Sequence, residues 1–468
     1  MDKEVFRRHG HEFIDWVADY FEEVEKYPVR SAVRPGEIRQ ALPEQPPASG
    51  EPMEEIFQDF REIIIPGITH WQHPGWFAYF PANNSPASVL AELLTAGLGA
   101  QCMSWQTSPA ATELEEVVMQ WLGRMIGLPE TMSGVIQDTA STATLCALLT
   151  AREKATCFEA NRSGIRRPLC VYTSEEGHSS IDKGVKIAGY GIENLRHIPT
   201  DHNFALIPEE LEKTIEKDRA EGLEPACVIG TVGTTSSTAV DPLVEIGKIC
   251  RRQGLWFHVD AAFGGTAALL EEKKELLAGA EYFDSFVFNP HKWMLTNFDC
   301  SAYFVKDQEA LTRTFEIHPE YLKTGQDAEV KNFRDWGIQL GRRFRALKLW
   351  FVIRSYGVEG LKEMVREHIR LAGLFKEWIE EDGRFELMAP VQFSLVCFRF
   401  KKEGASEEEL ARLNAELLEK VNQSGRVFLT HTSLKGRYAI RMAIGQRTTE
   451  EEHVRAAWAL ITQNAARF

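Results

Sequence analysis

A lysine and an aspartate near the ends of two apolar runs are the first residues in this chain whose types suggest a reaction. Tyr282-Phe283-Asp284-Ser285-Phe286-Val287-Phe288 is rich in aromatic and β-branched strand formers. Asn289-Pro290 breaks that strand, because proline offers no ladder N–H and restricts the residue before it. Lys292 is thereby presented just past the strand's end, between His291 and Trp293. A lysine in such a place is ordinarily a solvated surface group. A second stretch changes the reading: Leu255-Trp256-Phe257-His258-Val259 runs as an apolar strand into Asp260, followed by the small residues Ala261, Ala262, Gly264 and Gly265. An amine and a carboxylate at the ends of two neighbouring buried strands suit pyridoxal phosphate (PLP). The amine forms a Schiff base with its aldehyde, and the carboxylate keeps the pyridine nitrogen protonated so that the ring accepts electrons. Ligands of open α/β sheets sit at the carboxyl ends of strands, where both residues should lie.

Other polar residues also fall just after strands. Gly134–Gln137 reads as a short strand, Asp138-Thr139-Ala140-Ser141 as a turn, and Thr142 to Arg152 as a helix. Small residues at such a turn let backbone N–H groups approach an anion, although Thr and Ser also cap helices for stability alone. Leu169–Thr173 is a buried strand leading to His178, and Ala226–Val232 another leading to Gly233-Thr234-Thr235. Strands alternating with helices from about 85 to 300 imply right-handed βαβ units around a mostly parallel sheet.

The flanking parts differ. Phe6, Phe13, Trp16, Val17, Tyr20, Phe21 and Val24 recur at helical spacing, so the chain opens with an amphipathic helix. A proline-rich connector follows, then an aromatic stretch, Thr69–Pro81. The segment 318–332 is polar and poorly periodic, as loops are. From Val358 onward, helices and short strands form a separate α+β domain. The expected division is 1–84 as an N-terminal helical and extended dimerisation segment, 85–357 as a large cofactor-binding domain, and 358–468 as a small C-terminal domain.

Composition narrows the function. The 468 residues, 44% hydrophobic and 26% charged, are ordinary for a globular protein. A net charge of −15 argues against a nucleic-acid footprint. No apolar run approaches a membrane span, the N-terminus lacks the apolar core of a signal peptide, and the eight cysteines are scattered without a C-x-x-C pair. A cytoplasmic, metal-free enzyme with no membrane or nucleic-acid partner fits these features.

Asn289-Pro290-His291-Lys292-Trp293, the His258-Val259-Asp260-Ala261-Ala262 run and Thr139-Ala140-Ser141 closely resemble the motifs of the group II PLP-dependent amino-acid decarboxylases. With Asn297-Phe298-Asp299-Cys300 after them, they look like the aromatic-L-amino-acid decarboxylase type. The resemblance extends over nearly the whole chain. It implies the PLP-dependent transferase fold (fold type I), with a mostly parallel seven-stranded sheet flanked by helices, an N-terminal helical arm and a small C-terminal α+β domain. It implies a homodimer with the site at the subunit interface. It places Ala140, Ser141, Thr235, Asn289 and His291 among the cofactor contacts, His178 and Ala262 on opposite faces of the pyridine ring, and Lys292 and Asp260 in the roles argued above. Tyr321 becomes the proton donor to the carbanion left by CO2. Trp71, Tyr79, Phe80, Pro81, Met103 and Gly341 become the substrate pocket, Met103 where many relatives have phenylalanine and Gly341 where relatives vary between glycine and serine.

The resulting expectation is decarboxylation of tryptophan, phenylalanine, tyrosine or dihydroxyphenylalanine to the amine. Its competitors are oxidative aldehyde formation, decarboxylation of histidine or glutamate, and a non-catalytic dimerising relative. Relatives that form aldehydes carry phenylalanine in place of the loop tyrosine. The aromatic stretch and Gly341 count against the small or polar substrates. A non-catalytic chain need not retain Lys292, Asp260, His178 and Tyr321 together.

Overall fold

The computed structural model describes residues 1–317 and 329–468. Its centre is a seven-stranded sheet built from β1 (Ser133–Gln137), β2 (Leu169–Ser174), β3 (Leu195–Ile198), β4 (Glu224–Thr231), β5 (Trp256–Asp260), β6 (Ser285–Phe288) and β7 (Ser301–Val305), in the order β1-β7-β6-β5-β4-β2-β3. β3, β2, β4, β5 and β6 run parallel, and only β7 is antiparallel, to both β6 and β1. β2, β5, β6 and β7 are buried along their whole length, which is why they read as continuous apolar runs rather than alternating ones.

Two compact units emerge. One comprises 82–376 with 387–397 and holds the seven-stranded sheet; the other comprises 1–81, 377–386 and 398–468. The N-terminal and C-terminal ends of the chain thus share one unit, whereas a division along the sequence sets them apart. In that unit the helix Lys3–Glu23 packs Phe13 and Trp16 against Phe57 and Phe60, with ring centroids 4.6–6.4 Å apart. A four-stranded sheet, ordered β10-β11-β9-β8, is formed by β8 (Phe385–Leu387), β9 (Leu395–Phe400), β10 (Thr430–Leu434) and β11 (Arg437–Ala443). The sequence suggests a strand at 426–430; the strand instead begins at Thr430, where pairing with Arg441 starts. The helix Arg345–Glu381 is interrupted at Gly357 (φ +66°), a left-handed conformation that glycine adopts without a Cβ clash. Among the described residues no helix is long and apolar enough to cross a membrane.

Candidate active site

The site is built from strand ends. β5 lies between β4 and β6, with Asp260 level with Thr231 on one side and Val287 on the other. The ladder continues past the strands: Ala261 N–H donates to Val287 C=O at 2.9 Å and Asn289 N–H to Ala262 C=O at 3.1 Å. The turn after Asp260 and the turn leading to Lys292 are therefore tied edge to edge. Asp260 is buried, and its Oδ1 accepts the Ala262 N–H at 3.0 Å.

Lys292 sits in a four-residue helical turn, Pro290–Trp293, with Pro290 at its start. Its neighbours fix that turn. Trp293 is fully buried, stacks on Phe263 at 4.6 Å and donates its indole N–H to His368 Nδ1 at 2.8 Å. His291 is buried, and its Nδ1 accepts Cys300 N–H at 2.9 Å, so the ring proton resides on Nε2. Burial pushes the His291 imidazole down to about 3 and keeps it neutral. Asn289 accepts the Ser301 hydroxyl at 2.5 Å. From the other side, Asn83 donates its side-chain N–H to Lys292 C=O at 2.7 Å and its backbone N–H to His291 C=O at 3.1 Å. Ser85 Oγ donates to Leu295 C=O at 2.8 Å, and Ser88 Oγ accepts Asn297 N–H at 3.3 Å.

The electrostatics bring three of the expected catalytic groups together. Burial lowers the Lys292 pKa, and the Asp260 charge opposes that shift. The His178 pKa is also lowered by burial, with Asp260 raising it and Lys292 lowering it further. His178 is exposed at the surface yet recessed among enough protein to be desolvated. Its Nδ1 accepts Ser180 N–H at 3.2 Å and lies 2.7 Å from the Ser180 hydroxyl, leaving Nε2 to carry the proton. Beneath Asp260, on the same face of β5, His258 is fully buried. Its Nδ1 is 2.9 Å from Ser285 Oγ, which also accepts the Trp256 indole N–H, and its Nε2 is 3.5 Å from Thr144 Oγ1. Burial pushes His258 down to about 4 against the pull of Asp260.

The helix Ala140–Ala155 begins directly after β1, two residues earlier than the pattern suggests, because Thr139 serves as its N-cap and accepts Thr142 N–H. Ala140 and Ser141 thus occupy its first turn, whose N–H groups a helix cannot satisfy internally. Thr235 is exposed on the loop after β4, while the neighbouring Thr234 hydroxyl is spent within the loop on Ala239 N–H. An amine depressed by burial, a carboxylate beside it, a neutral imidazole and a helix N-terminus fit the aldehyde, ring nitrogen and phosphate of PLP.

Two expected pocket residues fall in the same unit as the sheet. Met103 is half-buried and accepts Arg334 N–H at 2.8 Å through its carbonyl. Gly341 is packed so closely on Gln101 that a Cβ would stand 3.2 Å from its Nε2, and Gln101 Oε1 accepts the Arg342 N–H at 2.7 Å. Arg342 itself forms a buried two-pronged pair with Glu115 at 2.7 and 3.1 Å. Trp71, Tyr79, Phe80 and Pro81 belong to the other unit. There Trp71 and Tyr79 stack at 5.9 Å and remain exposed, whereas Phe80 lies under the Arg441 guanidinium and Pro81 is buried against Gly445. Tyr321 lies outside the described residues. Sequence reasoning missed Asn83, Ser85, His258, Glu115 and Arg342. The pattern Asn83-Asn84-Ser85-Pro86, a helix cap, is the one signal that could have drawn attention to the first two, and their bonds to the Lys292 turn are tertiary.

Residues 35–401 match the family model described as the pyridoxal-dependent decarboxylase conserved domain. Among curated relatives, "Tyrosine decarboxylase 2" of Narcissus pseudonarcissus is 46% identical, over 99% of this chain and 95% of its own. "Phenylacetaldehyde synthase" of Arabidopsis thaliana is 45% identical, over 100% and 97%. Among solved structures, that of Oryza sativa TDC with PLP and tryptamine superposes with a TM-score of 0.96 at 37% identity, covering 100% of this chain and 99% of that one.

Proposed function

The chain belongs to the pyridoxal-dependent decarboxylase family, close to the plant aromatic amino acid decarboxylases, with PLP as cofactor, and from that premise we propose that it converts an aromatic L-amino acid to its amine and CO2. Bound PLP supplies an aldehyde for the substrate nitrogen and a ring that accepts the electron pair released when CO2 departs. Asp260 holds a proton on the ring nitrogen, without which the ring is a poor electron sink. Lys292, its pKa lowered by burial against the pull of Asp260, would furnish the amine that meets the aldehyde carbon and exchanges with the substrate. His178, with its proton on Nε2, and Ala262 would flank the ring on its two faces. Ala140, Ser141 and Thr235 hold the phosphate; Asn289 and His291 keep the Lys292 turn in place. Tyr321 returns a proton to the substrate Cα. Met103 and Gly341 are assigned to substrate contact, as are Trp71, Tyr79, Phe80 and Pro81 in their own unit.

The observation that carries this reading is the pairing of β5 with β6, which sets the turns bearing Asp260 and Lys292 edge to edge, with charge coupling from both to His178 beyond β2. Amine formation is favoured over aldehyde formation by the tyrosine at 321. The second reading, an aldehyde synthase, is kept by the 45% identity to the phenylacetaldehyde synthase above. Offering the purified protein a mixture of the common amino acids decides between them: an aromatic amine is expected, and an aldehyde in its place overturns the choice. Tyr321→Phe should divert product toward aldehyde; an unchanged ratio removes Tyr321 from the mechanism.

The working form is a homodimer in the cytoplasm. The helix Pro86–Leu98 leaves Leu90, Leu93, Leu94 and Leu98 between 48% and 66% exposed, an apolar stripe that a second copy would cover. No disulfide forms among the described cysteines. Leu93→Glu should give an inactive monomer on size-exclusion chromatography, and a fully active one refutes the shared site.

A further inference from the structure

The turn that carries Lys292 is held by a segment that no motif of the reaction includes. Asn83 is fully buried and contributes two donors: its side-chain amide to the carbonyl of Lys292 and its backbone N–H to the carbonyl of His291. A carbonyl only accepts, so the amide nitrogen must face Lys292, and the orientation of the Asn83 side chain is determined by its partner. Ser85 and Ser88 continue the grip on Leu295 and Asn297. Glu92, one turn further along the same helix, pairs with Lys348 and Arg343 and accepts from Asn297. The 83–92 segment therefore runs alongside residues 291–297 and meets them at four successive points.

We propose that Asn83 is a positioning residue for Lys292, fixing the peptide from which the amine is presented. Two consecutive carbonyls, at 291 and 292, are held from one residue, which fixes the orientation of the peptide between them. The side chain of Lys292 departs from that peptide's own Cα, so rotation there would swing the amine out of its buried setting. A residue with a hydrophobic side chain at 83 could fill the same space but would leave the Lys292 carbonyl without this donor. The inference deepens the decarboxylase reading and rests on Lys292 being the amine that meets PLP.

The test uses the apo form of the full-length protein, with PLP itself as the probe. Borohydride is added at intervals after mixing, and the fraction of Lys292 modified is measured by peptide mass spectrometry across a pH series; thermal melting is recorded in parallel. Asn83→Ala should slow modification of Lys292 about tenfold at neutral pH and move the pH midpoint upward, as an amine released toward solvent regains a more ordinary affinity for protons. Asn83→Asp keeps the volume and the backbone N–H but turns an acceptor toward the Lys292 carbonyl, and it should do the same even where Asn83→Ala folds poorly. Ser85→Ala, which removes the bond to Leu295 and the cap on Ser88 N–H but leaves both Asn83 bonds in place, should lower the melting temperature and leave the pH midpoint at the wild-type value. If both Asn83 variants melt earlier yet modify Lys292 with the wild-type rate and midpoint, Asn83 merely stabilises the fold and the proposal is overturned. If the wild-type chain fixes no PLP on Lys292, it is the cofactor assignment that fails instead.

Discussion

The turn around Lys292 and the stretch from Trp71 to Tyr79 both carry groups of chemical use, and they are built on opposite terms. In the first, Asn289, His291 and Trp293 are buried, each with its polar atoms directed to named partners, and the lysine's proton affinity is lowered by its surroundings. In the second, rings lean on one another, yet Trp71 and Tyr79 stay 38% and 53% exposed, and Tyr79 takes a left-handed φ of +53°. The contrast follows from what each must do. Charge acts strongly only where water is excluded and dipoles are fixed beforehand. A surface that receives an aromatic ring gains by burying area at the moment of contact, so it must start uncovered.

That contrast makes distinct demands on mutants. The largest effect should come from the dry region: Asp260→Asn is expected to lower kcat by about 10³-fold, measured on whichever amino acid the enzyme accepts. An effect of less than tenfold would break the claim that this carboxylate supplies the electrostatics. Next comes stability against acid. Folded His258 has its pKa depressed to about 4, so the unfolded chain binds a proton below pH 6.5 that the folded chain refuses until about pH 4. Stability should therefore be full above pH 6.5 and fall as the pH drops through that window, by about 2 kcal/mol at pH 5 from this group. Asp284, raised to about 6 by burial, works in the opposite sense, favouring the fold as the pH falls. His258→Gln should flatten the decline in melting temperature between pH 7 and 5, and an unaltered slope would remove His258 from the account. The smallest effect belongs to the open region: Trp71→Ala should raise KM about tenfold and leave the absorption of the bound cofactor unchanged. A changed spectrum with an unchanged KM would reverse the assignment of roles.

Much of the dry region was legible from the chain alone. Apolar runs bounded by Asp260 and by Asn289-Pro290 mark two buried parallel strands, and the pairing of Asp260 with Val287 sets their ends side by side. The reversal of β7 was not legible, because Ser301–Val305 carries no sign of direction and its antiparallel pairing depends on strands far off in sequence. Asn83 and Glu115 escaped for the same reason: a polar residue in a cap or on a helix looks solvated until the fold supplies the carbonyl or guanidinium that takes it up. The composition of the compact units was hidden as well, since the chain's two ends join only in three dimensions.

The close approach of Gln101 to Gly341 has a consequence for anyone redesigning substrate choice. Any side chain introduced at 341 must push aside, by a few tenths of an ångström, the same amide that braces Arg342 N–H, and Arg342 in turn is clasped by Glu115. Altering that glycine by itself would tug on a whole linkage, so libraries aimed at new substrates should vary positions 101 and 341 as a couple.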